Sequence, residues 1–280
     1  MDKKKEYDIR LIALDLDGTA LTTEKILTPR TKNVLEACLE RGIDILPATG
    51  RAKDAIPDYL RNIKGLRYMV LSNGASVYDL KEDKELYSNC IPCERAKELV
   101  DYLDQFDTYF DFYALGSGWS EARFYDHKDC YNIEPRIIEL INKTRTRVDS
   151  LKEWLDENKA DVEKFNMFFA SLEKRKYAYE LLRSIPDIVP SNSLVNNIEL
   201  NHYTCNKGDA VMNLGRILGL RQDQIMACGD GNNDLTMIKA AGLGVAMGNA
   251  EDCVKEVADY ITKSNDEEGV AYAIERFCNL

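Results

Sequence analysis

The sequence predicts an α/β protein whose parallel-sheet core is interrupted by an inserted α+β module. Three observations lead to this fold class. Apolar runs alternate with amphipathic helical patterns in the first third of the chain, the same alternation returns in the last third, and a different pattern separates them. Because 280 residues exceed the usual size of one core, an insertion or a second domain is expected.

The first third predicts a βαβαβ arrangement, with strands in IRLIALDL, IDILPATG and YMVLSNG and helices in TPRTKNVLEACLERG and RAKDAIPDYLRNI. The first helix has Thr28 as its N-cap, Pro29 at its first position and Gly42 beyond its end. Its predicted buried face consists of Val34, Leu35, Cys38 and Leu39. Because the strands are apolar on both faces, they favour a parallel sheet that is covered on both sides.

The predicted core comprises residues 1–85 and 196–280, and the inserted module comprises residues 86–195. The last third continues the core with helices near KGDAVMNLGRILG, NNDLTMIKAAG, AEDCVKEVA and GVAYAIERFC and strands near QIMACGDG, LGVAMGN and YITKS. Within the module we expect a helix over 95–106, a hairpin that turns at 116–118, a helix over 135–144 and a second sheet-and-helix group over 165–199.

Composition and charge exclude several classes of partner. The chain has 37 Lys and Arg against 48 Asp and Glu, a net charge of −11, which argues against binding nucleic acid along a broad basic face. With 45% hydrophobic and 30% charged residues it is typical of a soluble globular protein, and no apolar run predicts a membrane span. An anionic ligand would therefore need a binding site that is locally positively charged.

The eight cysteines and the first residues favour a cytoplasmic location. Most cysteines lie in apolar patterns that predict reduced core thiols, and we expect no cleavable apolar leader. The pair in CIPC has no second ligand pair for a metal site, so we interpret it as ordinary small apolar residues. The opening MDKKKE predicts a short, solvated, charged segment.

Polar and acidic side chains follow several predicted core strands. Asp15 and Asp17 end the first strand, Thr49, Gly50 and Arg51 follow the second, and the last third adds Lys207 and the segment 230–234. Because ligands bind at the carboxyl ends of parallel strands, we expect these groups at one edge of the sheet. Two carboxylates from the first strand and a third from GDGNND are hard oxygen ligands that suit Mg²⁺.

A phosphoryl group accounts for the remaining polar groups. The Thr49 hydroxyl, the Asn233 amide, the Lys207 ammonium and the backbone amides of Leu16 and Gly50 are expected to bind its oxygens. Asp15 would attack phosphorus to form an aspartyl-phosphate. Asp17 would protonate the leaving oxygen and then take a proton from the hydrolytic water.

Structural explanations compete with these roles. DLDGT is also typical of a turn followed by a helix cap, Lys207 could be solvated, and Arg51 could simply pair with an acid. GDGNND also resembles part of a calcium-binding loop, but Ala241 occupies the twelfth position, where such a loop needs Glu.

The ordered set DLDGT, ATGR, NKG and GDGNND resembles the four motifs of the haloacid dehalogenase-like (HAD) hydrolases. With the downstream AMGNA, the chain is similar to the Cof-type branch, which implies a Rossmann-like core and a type IIB α+β cap. The resemblance implies that Asp15 is the nucleophile and Asp17 the acid/base, and that Asp15, the Asp17 carbonyl and Asp230 bind Mg²⁺. It also implies phosphoryl binding by Thr49, Lys207 and Asn233. Supporting roles are expected for Asp234, Arg51 and Asn249.

These inferences predict a magnesium-dependent phosphatase of small phosphorylated metabolites, with sugar phosphates expected, and no nucleic-acid, membrane or obligate protein partner. A phosphosugar mutase that uses the same intermediate and a catalytically weak phosphosugar-sensing module remain alternatives. A receiver domain also uses an aspartyl-phosphate but leaves the long insertion unexplained. Weak candidates for leaving-group contacts in the cap are Tyr113, Ser117, Trp119 and Arg123.

Overall fold

The computed structural model describes residues 7–280, so the predicted charged segment 1–6 lies outside the described residues. Its strands are β1 (Leu11–Asp15), β2 (Asp44–Ala48), β3 (Tyr68–Leu71), β4 (Ser76–Asp79), β5 (Lys84–Ser88), β6 (Tyr109–Ala114), β7 (Ser117–Glu121), β8 (Arg145–Val148), β9 (Lys164–Phe168), β10 (Ile188–Ser191), β11 (Asn197–His202), β12 (Ile225–Gly229), β13 (Leu243–Ala246) and β14 (Tyr260–Ile261). Its α-helices are α1 (Pro29–Glu40), α2 (Asp58–Arg61), α3 (Cys93–Leu103), α4 (Ala122–Tyr125), α5 (Pro135–Thr144), α6 (Leu151–Asn158), α7 (Leu172–Leu182), α8 (Lys207–Ile217), α9 (Leu235–Ala240), α10 (Asp252–Lys255) and α11 (Gly269–Cys278).

The chain divides into two compact units. The first comprises residues 7–50, 57–88 and 206–280, and the second comprises residues 51–56 and 89–205. The boundary predicted between 195 and 196 is therefore shifted, because β11 pairs with β9 and β10 in the sheet of the second unit. The boundary predicted between 85 and 86 moves to the end of β5, which pairs with β4 in the sheet of the first unit.

The first unit contains an eight-stranded sheet in the order β14-β13-β12-β1-β2-β3-β4-β5. Strands β14 to β3 run parallel, as predicted, and β1 lies between β12 and β2. Residues 11–14 of β1 are at most 1% exposed, which explains why this strand is apolar on both faces. The last two strands in this order, β4 and β5, pair antiparallel with their neighbours and were not predicted.

Helix α1 confirms its sequence signals, whereas the helix predicted over 51–63 is wrong. The Thr28 side chain accepts a hydrogen bond from the Thr31 amide, and Pro29 begins α1. Between residues 51 and 63 the chain forms only a short 3₁₀ turn at Lys53–Ala55 and the single-turn helix α2. Pro57 explains the break, because it disfavours the helical conformation at Ile56, where ψ is 123°.

The second unit contains a six-stranded sheet in the order β10-β11-β9-β6-β7-β8. Successive residues of β6 face opposite sides of this sheet, one apolar and one polar. Phe112 packs in an apolar cluster against Trp154, with ring centroids 5.5 Å apart. On the other face, the buried Asp111 carboxylate accepts a hydrogen bond of 2.9 Å from Arg145 Nε, and Arg145 Nη2 donates to the Tyr113 hydroxyl at 2.8 Å.

The hairpin between β6 and β7 turns at Leu115 and Gly116 rather than over the predicted 116–118. Both residues are left-handed, with φ of 56° and 78°, as a two-residue hairpin turn requires. Ser117 therefore already belongs to β7. Trp119, which the sequence offered as a candidate leaving-group contact, is partly buried and packs against Trp154 at the apolar cluster of this unit.

Across residues 7–280, the structure contains no helix with the length and apolar character that a membrane crossing requires.

Candidate active site

The first strand of the sheet delivers Asp15 to the site. This residue ends β1 and is 8% exposed, and the chain then forms a tight loop over residues 16–21. The Ala20 amide donates to the Asp15 carbonyl at 3.2 Å, and the Leu21 amide donates to the Leu16 carbonyl at 2.9 Å. Gly18 has φ +93°, and a Cβ there would lie 2.4 Å from Asp230 Oδ2, so the loop needs glycine at this position.

Lys207 is the first residue of α8 and is 1% exposed. The side chain of Asn206 caps this helix by accepting a hydrogen bond of 2.8 Å from the Asp209 amide. Lys207 Nζ donates to Asp15 Oδ1 at 2.5 Å and to Asp234 Oδ1 at 2.7 Å. The interpretation of Lys207 as a solvated residue is therefore wrong.

The segment after β12 supplies two further carboxylates. Asp234 is 1% exposed, and its Oδ2 accepts hydrogen bonds from the amides of Asp230 at 2.9 Å and Gly231 at 3.1 Å. Gly229 permits this approach, because a Cβ there would lie 2.5 Å from Asp234 Cβ. Asp230 Oδ1 accepts a hydrogen bond of 2.6 Å from the Thr19 hydroxyl, which joins the loop after β1 to the loop after β12.

Burial and mutual repulsion disturb the titration of this cluster. Burial raises the pKa of Asp15 to about 8; the charges of Asp234 and Asp230 add to this rise, and Lys207 opposes it. Burial also raises the pKa of Asp230 to about 6. Burial alone would lower the pKa of Lys207, but the charges of Asp15 and Asp234 raise it above its ordinary value.

The cluster has the donor set and the charge that suit a divalent cation. Oxygens of Asp15, Asp230 and Asp234 lie within 4.8 Å of one another. Three carboxylates and the Lys207 ammonium carry a net charge of −3 + 1 = −2 when all are ionised, which one divalent cation would neutralise. Carboxylate oxygens are the ligands that Mg²⁺ prefers. The residues present therefore fit a divalent cation such as Mg²⁺.

Most of the other predicted residues lie on loops that follow strands of the first unit. Thr49 follows β2, is 3% exposed, and its amide donates to the Val70 carbonyl at 2.9 Å. Gly50 is half-buried beside it, Leu16 is buried directly after Asp15, and Asn233 is exposed in the turn Asn232–Asp234. Arg51 belongs to the second unit.

Asp17 and Asn249 make contacts that their motifs alone do not reveal. Asp17 Oδ1 forms an ion pair of 3.0 Å with Lys25, and both side chains are more than 40% exposed. The sequence pattern does not predict this contact. Lys25 itself has a left-handed backbone conformation, with φ 62°, in the loop that brings its side chain to Asp17. Asn249 Nδ2 donates to the Gly18 carbonyl at 2.9 Å, so this predicted supporting residue contacts the loop after Asp15.

Comparisons with known proteins identify the family of this chain. Residues 12–274 match the haloacid dehalogenase-like hydrolase family. The chain is 30% identical over 282 residues to the 5-amino-6-(5-phospho-D-ribitylamino)uracil phosphatase YcsE of Bacillus subtilis, with 98% of each chain covered. It resembles the structure of a haloacid dehalogenase-like hydrolase from Bacteroides thetaiotaomicron, with a TM-score of 0.81, 28% identity, and 96% of this chain and 99% of that chain covered.

A third known protein shares the fold. The HAD subclass IIB sugar phosphatase BT4131 has a TM-score of 0.78 and 24% identity, with 97% of this chain and 100% of that chain covered. The chain therefore belongs to the haloacid dehalogenase-like hydrolase family, as a Cof-type phosphoric monoester hydrolase.

Proposed function

We propose that the protein is a magnesium-dependent phosphatase that hydrolyses sugar phosphates and related phosphorylated polyols through an aspartyl-phosphate on Asp15. The observation that carries this proposal is the buried Asp15 carboxylate, which is hydrogen-bonded to Lys207 and faces Asp230 and Asp234. An acid that costs stability to bury, at the end of a central strand, is typical of a catalytic group rather than a structural one.

Asp15 is suited to act as the nucleophile. Lys207 Nζ donates a hydrogen bond to Asp15 Oδ1, and this bond orients the carboxylate. A carboxylate oxygen of Asp15 would attack phosphorus, and the bond from phosphorus to the leaving oxygen would break. Lys207 would also neutralise charge on the transferred group, while the hydroxyl of Thr49 and the amides at Leu16 and Gly50 would donate hydrogen bonds to its oxygens. A bound Mg²⁺ would supply further charge neutralisation and orient the phosphate.

Asp17 is the proposed general acid and base. It lies two residues after Asp15, and its half-exposed carboxylate forms an ion pair with Lys25. When protonated, it would donate its proton to the leaving oxygen. The resulting carboxylate would then take a proton from the water that attacks the phosphoenzyme, which regenerates Asp15.

The proposed substrate class rests on relatives and on the presence of the second unit. The name of YcsE describes a phosphorylated ribityl compound, and BT4131 is named a sugar phosphatase. We propose that the second unit acts as the specificity cap of the subclass. The predicted cap candidates already have partners there: Tyr113 contacts Arg145, Ser117 donates to Asp54, Trp119 donates to the Ala114 carbonyl, and Arg123 pairs with Glu121 and Asp104.

Phosphate release from a panel of sugar, polyol, nucleotide and cofactor phosphates tests the proposal. We expect release that requires Mg²⁺, that chelation abolishes, and that Asp15→Asn eliminates. Asn213→Ala, which keeps the whole carboxylate cluster, should retain wild-type release and serves as the control. Undiminished release by Asp15→Asn or in a chelator would contradict the proposal, and an isomeric sugar phosphate as the product would favour a mutase.

A further inference from the structure

The loop that carries Asp17 is joined to two asparagines from distant parts of the chain. Asn249 Nδ2 donates to the Gly18 carbonyl at 2.9 Å, and Asn265 Nδ2 donates to the Leu21 carbonyl at 3.0 Å. The two asparagines also contact each other, because the Asn265 amide donates to Asn249 Oδ1 at 2.9 Å. We call Asn249 and Asn265 the asparagine clamp, because together they bind both ends of the segment 18–21.

The backbone around the clamp is closely held. Asn265 is 8% exposed and begins the turn Asn265–Glu267, in which the Ser264 hydroxyl donates to Glu267 Oε2 at 2.7 Å. Gly248 precedes Asn249, and its amide donates to the Lys263 carbonyl at 2.9 Å. A Cβ at Gly248 would lie 2.7 Å from the Ser264 amide nitrogen, so these two segments are in direct contact. Both carboxamides are therefore presented from well-packed backbone.

The clamp adds bonds from distant residues to the hydrogen bonds that the loop forms within itself, where the Ala20 amide donates to the Asp15 carbonyl and the Leu21 amide to the Leu16 carbonyl. Gly18, which follows Asp17, has φ +93°, a conformation that a flexible glycine can readily leave. The Asp17 carboxylate pairs with Lys25, and both side chains are more than 40% exposed, so this pair contributes little rigidity. The two asparagine bonds hold the backbone of this loop on either side of Thr19, which contacts Asp230, and the position of that backbone sets where the Asp17 side chain begins.

We propose that Asn249 and Asn265 are positioning residues that hold the loop 18–21 so that Asp17 delivers its proton to the leaving oxygen. This role rests on the proposed function, in which Asp17 is the general acid. It assigns a task to Asn265, which lies in no catalytic motif, and it gives Asn249 a stated action through the Gly18 carbonyl.

The dependence of rate on the leaving group tests this role. An alkyl phosphate needs its leaving oxygen protonated, whereas p-nitrophenyl phosphate expels a stable anion and needs little acid assistance. The values of kcat/KM for the best alkyl substrate of the panel and for p-nitrophenyl phosphate should be measured for wild type, Asn249→Ala, Asn265→Ala and Asp17→Asn. This parameter reports the steps up to formation of the phosphoenzyme, in which the acid acts.

Asn213→Ala is the matched control, because Asn213 also lies in the first unit and its Nδ2 donates to a backbone carbonyl, that of Asp209, at 2.8 Å. We expect Asn249→Ala and Asn265→Ala to lower kcat/KM about tenfold or more for the alkyl ester and less than about threefold for the aryl ester. Asp17→Asn should show the same pattern with a larger loss, and Asn213→Ala should change neither value. Since Asn249 is exposed, its variant should fold even where Asn265→Ala does not.

Equal losses for the two esters in Asn249→Ala, or no loss at all, would overturn the positioning role. If Asp17→Asn itself slowed both esters equally, the acid role in the proposed function would fail, and the positioning role would fall with it. If Asp17→Asn showed the leaving-group pattern and Asn249→Ala did not, only the positioning role would be refuted.

Discussion

Replacing Asp15 by asparagine should stabilise the metal-free protein at pH 8 while it abolishes catalysis. Burial raises the pKa of Asp15 to about 8, because the carboxylate loses its hydration and also faces the negative charges of Asp234 and Asp230. Asparagine has nearly the same shape, and its Oδ1 can still accept the hydrogen bond from Lys207. The substitution therefore removes a buried charge without leaving the ammonium unpaired.

The sign and size of the effect follow from proton linkage. Between pH 5 and pH 8 the unfolded chain has lost the Asp15 proton, while the folded, metal-free protein retains most of it, because the folded pKa is about 8. The folded state then binds more protons, so its free energy of unfolding falls as the pH rises. At about 1.4 kcal/mol per pH unit, the loss over this interval is on the order of 3 kcal/mol. At roughly 2 °C or more per kcal/mol, the unfolding temperature should change by at least about 6 °C.

Thermal unfolding of wild type and Asp15→Asn in a chelator, at pH 5, 6, 7 and 8, measures this difference. The advantage of Asp15→Asn should grow steadily with pH, and Mg²⁺ should reduce it by stabilising wild type most strongly at pH 8. A difference that stays constant from pH 5 to pH 8, or one that favours wild type increasingly in the chelator, would refute the reasoning.

Three further substitutions test the account, and two of them have a matched control variant. Gly18→Ala should lower kcat/KM about 100-fold, because its Cβ would displace the Asp230 carboxylate. Gly42→Ala is the control, since Gly42 has φ +75° and no atom lies within 4 Å of the added Cβ. It should leave activity unchanged and lower the free energy of unfolding, measured by chemical denaturation, by about 1–2 kcal/mol. Lys207→Met should destabilise the protein by about 3–5 kcal/mol in chelator and abolish turnover, since it leaves two buried carboxylates unpaired; stability equal to wild type would contradict this. Arg145→Met should destabilise the second unit by about 3–5 kcal/mol because its acidic partner is fully buried, whereas Arg147→Met at an exposed pair should cost less than about 1 kcal/mol; similar costs would refute the distinction.

The carboxylate cluster could be predicted because it depends on local motifs and on one rule of topology. Asp15 and the segment 230–234 each follow an apolar run, and the carboxyl ends of parallel strands meet at one edge of a sheet. The structure brings Asp15, Asp230 and Asp234 together, whereas the Asp17 carboxylate, which was expected as the second one from the first strand, lies outside this cluster and pairs with Lys25. Lys207 also lies there, because a well-capped helix begins at that residue.

Other features depend on contacts that no local pattern reveals. Strand β4 reverses direction relative to β3 through Ser72 and Asn73, two non-glycine residues with φ of 49° and 64°, a conformation that propensity does not predict there. Asn265 lies in a polar stretch that is typical of any turn, and its bond to the Leu21 carbonyl joins residues 244 positions apart. Such tertiary hydrogen bonds become apparent only when the fold is known.

Trapping the phosphoenzyme tests the central claim most directly. The protein should be mixed with its best substrate and Mg²⁺, quenched in acid within the first turnover, digested, and analysed by mass spectrometry. We predict one phosphoryl group on the peptide that contains Asp15, absent in Asp15→Asn and accumulating to a higher level in Asp17→Asn if that variant still forms the phosphoenzyme. Rapid turnover with no phosphoryl group on that peptide, or with the group on another residue, would contradict the assignment of Asp15 as the nucleophile.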